Sequence, residues 1–141
     1  MTGVGRSSRL SSIPLFADLS EDALDRLAAI ATEAECPAGM VLALPGDPGS
    51  GMFVIEEGTV VVELRGRDVE LGPGEFFGEL ALLVPDSARV ARVRARTDVR
   101  VLAVARADFA RLLEEEPRIA VAMLPVLARR LAAEVQGSSQ T

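Results

Sequence analysis

Gly58-Thr59-Val60-Val61-Val62-Glu63-Leu64-Arg65-Gly66-Arg67-Asp68-Val69-Glu70-Leu71 is the stretch that decides the fold. Val60, Val62 and Leu64 fall on one side of an extended backbone, and Val61, Glu63 and Arg65 on the other. Arg65-Gly66-Arg67-Asp68 then turns the chain, bringing Val69 and Leu71 back onto the inner face. The same grammar runs outward in both directions. Met52 to Glu56 reads as a strand that Glu57-Gly58 turns into the next one. Before it, Pro37-Ala38-Gly39 is a turn leading into a strand over 40–44, and residues 45–51 form a dense Pro/Gly loop. The strand period holds from about Glu33 to Ala105. Many short strands, Gly-rich turns and no interleaved long helices point to an antiparallel sandwich or roll.

Helical signals flank this region. Ser20 is placed as an N-cap, with Glu21 and Asp22 at the positive end of the helix dipole. Leu24, Leu27, Ala28 and Ala31 supply that helix with an apolar stripe, and Ile13, Leu15, Phe16 and Leu19 form an apolar cluster before it. Asp108 to Glu114 reads as a short helix, and Pro117 suits the first turn of another. Ile119, Met123, Leu127 and Leu131 recur every fourth residue as a covering face. Pro125 is expected to kink or split that helix, either as two packed segments or as a hinge. One domain over 13–136 is expected, with a flexible arm at 1–12 and a flexible tail at 137–141.

Composition removes whole classes of function. The 141 residues carry a net charge of −6, which opposes non-specific binding to nucleic acid or an anionic membrane. There is no His, which excludes a Ser-His-Asp or Cys-His arrangement, a His-based metal site and an imidazole base. Five Phe, with no Trp or Tyr, make no ladder for stacking bases. Catalysis, a metal and a cofactor are therefore not expected. Cys36 is the single cysteine, so no internal disulfide forms, and it reads as a small core residue of a chain in a reducing cytoplasm. No apolar run approaches a membrane span, and residues 1–12 lack the apolar core of a signal peptide.

The chemistry concentrates at Gly72-Pro73-Gly74-Glu75-Phe76-Phe77-Gly78-Glu79-Leu80-Ala81-Leu82-Leu83 and at Arg89-Val90-Ala91. A short helix starting near Gly78 aims unpaired N–H groups at an anion, and Gly78 has no Cβ to hold a phosphate away. Glu79 suits a sugar hydroxyl, and the planar fork of Arg89 suits two phosphate oxygens. Alternation sets Arg89 with Ala91, Val93 and Ala95, small and apolar. Val90, Arg92, Arg94 and Arg96 fall on the opposite face, and the three arginines there read as solvated. The same residues also fit a structural ion pair between Glu79 and Arg89 with no ligand, and taken alone they favour that pair.

Phe77 to Leu83 together with Arg89 to Ala95 resembles the phosphate-binding cassette of cyclic nucleotide-binding domains. The family includes protein kinase A regulatory subunits, the bacterial catabolite activator protein and cyclic-nucleotide-regulated channels. The likeness extends from Pro14-Leu15-Phe16 through Gly46-Asp47-Pro48-Gly49 and Gly58 to the final helices, and is nearest to stand-alone or channel-linked bacterial domains. It implies a mainly β fold: an antiparallel eight-stranded β-roll of double-stranded β-helix type, with N-terminal helices and C-terminal lid helices. It further implies that Phe77, Gly78, Leu80, Ala81 and Ala91 surround the cyclic phosphate and ribose. Glu79 would take the ribose 2′-OH and Arg89 the phosphate. Val60, Val62, Val69 and Leu71 would wall the purine, and Arg129 or Arg130 would cap the base. For those two arginines, complementing a helix C-terminus is an equal reading.

Three positions depart from the family pattern. Val90 stands where Ala, Ser or Thr is usual, which leaves a guanine amino group without a side-chain partner and favours cAMP over cGMP. Arg92 replaces a common Thr or Ser, and Ser50 a common Asp. The resemblance implies a sensor whose C-terminal helix moves on binding, acting on an effector protein as a monomer or as a homodimer through that helix. A ligand-free interaction module, a transcription regulator cut before its DNA-binding domain, and an enzyme on a cupin-like roll are the alternatives. Residues 106–141 are too few for a helix-turn-helix domain.

Overall fold

The computed structural model describes residues 10–43, 51–64, 66–78 and 92–139. A 3-10 turn at Pro14–Phe16 precedes helix α1 (Glu21–Ile30) and strands β1 (Ala31–Cys36) and β2 (Val41–Ala43). Next come β3 (Gly51–Glu57), β4 (Val60–Leu64), β5 (Arg67–Leu71), β6 (Phe76–Phe77), β7 (Arg92–Ala95) and β8 (Val99–Ala105). Helices α2 (Arg106–Glu115) and α3 (Pro117–Ser139) follow. The strands form two four-stranded antiparallel sheets, ordered β1-β8-β3-β6 and β2-β7-β4-β5. This is the eight-stranded β-roll with flanking helices that the sequence implies.

The first sheet has an apolar partner on both faces. Met52, Val54, Phe76, Leu102 and Val104 join a core with Leu10, Phe16, Leu24, Leu27, Phe109, Ile119 and Met123 from the helical side. The alternate residues Ile55, Phe77, Val99 and Val101 join a second core inside the roll with Val60, Leu71, Val93 and Ala95. The two-residue period of β3 and β8 therefore sorts residues between two interiors rather than between an interior and water. Gly58, at φ +88°, turns β3 into β4 where an added Cβ would lie 2.3 Å from the Asp98 carbonyl oxygen. No other residue fits there.

Ser20 caps α1 as expected, its hydroxyl oxygen accepting from the Ala23 N–H at 3.1 Å. Other expectations need correction. Leu10 falls in the expected flexible arm, yet it is helical and wholly buried in the first core. The strand region begins at Ala31 rather than Glu33, and α2 is longer than 108–114 by residues at both ends.

Helix α3 runs unbroken through Pro125 and on to Ser139, into the expected tail. Pro125 removes a hydrogen bond to the carbonyl of Val121, but Val121 and Leu124 are 64% and 62% exposed, so water satisfies the freed oxygen. Leu131 is 65% exposed and does not belong to the covering face. A helix advances about 100° per residue, so a strict four-residue repeat drifts off its own face, and Leu131 lies about 120° from Ile119. Arg130 lies only about 20° from Ile119 by the same count.

Candidate functional site

The apolar wall forms as the strand pattern requires. Val60 pairs with Leu71 and Ala95, and Val62 pairs with Val69 and Val93, across the β5-β4-β7 ladder. Val60, Leu71, Val93 and Ala95 are buried, whereas Val62 and Val69 are half-buried. Leu42 and Phe53 are also half-buried and pack against the same core. The roll is thus sealed at the Val60 end, while aliphatic and aromatic surface reaches solvent at the Val62–Val69 end. Phe77 stacks on Phe53, ring centroids 5.0 Å apart and planes 16° from parallel. That surface suits the face of a flat, mostly apolar ring system.

Four hydrogen bonds fix the loop before the cassette. Gly72 N–H donates to Glu75 Oε2 at 2.7 Å, and Glu75 N–H donates back to the Gly72 carbonyl at 3.1 Å. Gly74 N–H reaches the Ile55 carbonyl at 2.8 Å, and Ile55 N–H reaches the Glu75 carbonyl at 2.9 Å. Strand β6 then pairs with β3 and delivers the chain to Gly78, half-buried at φ +91°. This left-handed backbone favours glycine, so Gly78 serves the turn as well as any ligand. Glu79, Leu80, Ala81, Arg89, Val90 and Ala91, and the short helix expected near Gly78, lie outside the described residues.

The arginine-rich strand divides as its alternation requires. Val93 and Ala95 face the interior. Arg92 and Arg94 both bridge to Glu63, the latter at 3.5 Å, and Arg96 bridges to Glu70 at 2.6 Å. The hydrogen bond from Arg92, joined by the charges of Arg92 and Arg94, holds the Glu63 carboxyl below the usual carboxylate range. Arg92, one of the departures from the family pattern, therefore belongs to an outer ionic ladder. Cys36 is buried in the second core, where burial pushes its thiol pKa up, as befits a packing residue.

The two candidate base-capping arginines separate. Arg129 is exposed. Arg130 is half-buried, its guanidinium 4.5 Å above the Phe76 ring centroid and its Nη2 donating to the Phe76 carbonyl at 2.6 Å. Sequence reasoning did not bring Arg130 to Phe76, although its place three turns along α3 from Ile119 carried the signal.

Two clefts of about 400 and 450 Å³ lie elsewhere, around Pro14, Pro73 and Arg100 and around Cys36, Asp98 and Arg100. Glu56 and Glu57 line the first, and Glu35, Glu57 and Asp98 the second, so both repel a phosphate. Among the described residues, no group of three or more His, Cys, Asp or Glu is placed to hold a metal. Nor is any described helix long and apolar enough to cross a membrane.

The family model of the cyclic nucleotide-binding domain matches residues 33–116, covering the wall, the loop and the cassette. The chain belongs to the cyclic nucleotide-binding domain family. It is a regulatory domain of the type found in catabolite activator and PKA regulatory proteins. A cyclic nucleotide-gated potassium channel of Mesorhizobium japonicum is 40% identical over 111 residues, 79% of this chain and 31% of the channel. The chain thus spans about a third of that relative's length. The catabolite activator protein of Thermus thermophilus superposes with a TM-score of 0.75 at 30% identity, over 90% of this chain and 62% of that one. The regulatory domain of Toxoplasma gondii PKA, crystallised with cAMP, superposes at 0.76 over 93% of this chain and 50% of that one. At 22% identity this last likeness speaks for the fold alone.

Proposed function

We propose that this domain is a cAMP sensor. Glu79 takes the ribose 2′-OH, Arg89 the cyclic phosphate, and Gly78, Leu80, Ala81 and Ala91 surround them with backbone groups. The purine lies along Val62 and Val69 at the open end of the wall, backed by Val60, Leu71 and the ring of Phe77. The observation that carries this reading is the inward face of β7. Val93 and Ala95 line the roll interior while Arg92, Arg94 and Arg96 are spent on Glu63 and Glu70. That parity is what singles out Arg89 in the sequence. The family match spans both halves of the cassette and supports the same reading. cAMP is preferred to cGMP because Val90 offers a guanine amino group no partner. A ligand-free interaction module rests on Val90 alone once Arg92 has a structural partner.

Binding is read out by α3. Its Ile119 and Met123 bury against the first core, and their contact with the roll is the element that a ligand shifts between two populations. The opposite stripe, Val121, Leu124, Ala128 and Leu131, is exposed. It follows a heptad with Val at a and Leu at d, the pattern of a parallel two-stranded pair, so the output is pairing with a second copy of this helix. Light scattering should report a dimer that Leu124→Lys converts to monomer; a monomeric wild type at all concentrations rejects that output.

Calorimetric titration with cAMP and cGMP tests the sensor reading. One saturable site, tighter for cAMP, is expected, and Val90→Thr should narrow the difference. An unchanged ratio in that variant removes Val90 from selectivity.

A further inference from the structure

The carbonyls of strand β6 alternate in direction. That of Glu75 points to β3, where it accepts from Ile55 N–H, so that of Phe76 points outward from the sheet's edge. An outward carbonyl on a buried edge needs a donor. Arg130 supplies it at 2.6 Å and covers the ring of the same residue, which is 2% exposed. With only two residues in its ladder, β6 has little pairing of its own. One side chain of α3 thus completes the strand that hands the backbone to Gly78.

We propose that Arg130 is a positioning residue of the nucleotide site. It ties β6, and with it Gly78 and the start of the cassette, to helix α3. The proposal rests on the sensor reading and names the link by which that site and α3 are coupled. A cassette start already held by Arg130 needs less ordering when nucleotide binds. By linkage, bound nucleotide strengthens the docking of α3 by the same factor. The guanidinium acts through Phe76 rather than on the base. A lysine would keep the charge over the ring but lose the planar fork that serves ring and carbonyl together.

The test is amide hydrogen exchange on wild type, Arg130→Met and Arg130→Lys, with and without cAMP, alongside calorimetric affinities. Without ligand, Arg130→Met should speed exchange over residues 76–78 and 123–133 together, leaving α1 and β8 unchanged. Its cAMP affinity should fall roughly tenfold, with the cAMP-to-cGMP ratio preserved, and cAMP should no longer add protection to α3. Arg130→Lys should fall between. The effects of Arg130→Met and Phe76→Leu on affinity should be less than additive, since each breaks the same contact. A variant with wild-type affinity and a wild-type gain of protection on α3 would overturn the proposal. So would an altered cAMP-to-cGMP ratio, which would move Arg130 onto the base. If the wild type takes no cyclic nucleotide, the sensor reading fails by itself. Unchanged ligand-free exchange over residues 76–78 would then separately defeat the role given to Arg130.

Discussion

The two sheets of the roll have four strands each and live in different surroundings. β1-β8-β3-β6 is sandwiched between the helices and the roll interior, and both sets of alternating side chains on β3 and β8 are buried. β2-β7-β4-β5 buries one face and carries an ionic ladder on the other, and its inner face opens to solvent at Val62 and Val69. A sheet with two covered faces can serve only as a support. A sheet with one covered face, left open at one end, can receive a ligand without unpacking the core. The division of labour follows from burial, and substitutions in the two sheets should fail in different ways.

Leu102→Ala, in the supporting sheet, should lower stability by about 2–5 kcal/mol in denaturant unfolding, through lost transfer energy and a cavity. Its cAMP affinity, measured under folding conditions, should be that of wild type. A small stability loss together with weakened binding would erase the distinction between the sheets. Val69→Ala, on the half-open wall, should reverse the pattern. Its stability should fall by only about 1 kcal/mol, while cAMP affinity drops several-fold. Unaltered affinity in that variant would move the purine away from the Val62–Val69 end.

The smallest effect belongs to the outer ladder. The Glu63 carboxyl is held low in the folded state, so its contribution is present above the ordinary carboxylate range and is lost as pH falls through its lowered folded-state value. Glu63→Gln should therefore shift the melting temperature slightly near neutral pH. The difference from wild type should vanish on acidification. A difference that persists in acid would mean that Glu63 acts by packing instead of charge.

Most of the fold was legible because strand parity is written residue by residue. Val60, Val62, Val69 and Leu71 fell on the inner face, and the arginines of β7 on the outer, from alternation alone. Cover was not legible. Val61 sits on the outer face and yet is 4% exposed, flanked in register by Glu70 and Arg94, whose long aliphatic stems can shield an apolar neighbour. On α3 the four-residue repeat chose Leu131 where the helical period chooses Arg130, and Pro125 was given a break that solvent exposure makes unnecessary. The cassette itself was legible as a family pattern: glycines, a carboxylate and a distant arginine gain meaning jointly. Parity could set Arg89 apart, but it could not by itself distinguish a phosphate from Glu79 as the arginine's partner.

That distinction is the centre of the account, and one paired measurement addresses it. Wild type and Arg89→Leu are titrated calorimetrically with cAMP, and the fold of each is checked by thermal unfolding. The account predicts one saturable site in wild type and loss of that site in a variant that still folds. Absence of binding by wild type at millimolar cAMP, or undiminished affinity in Arg89→Leu, would contradict it.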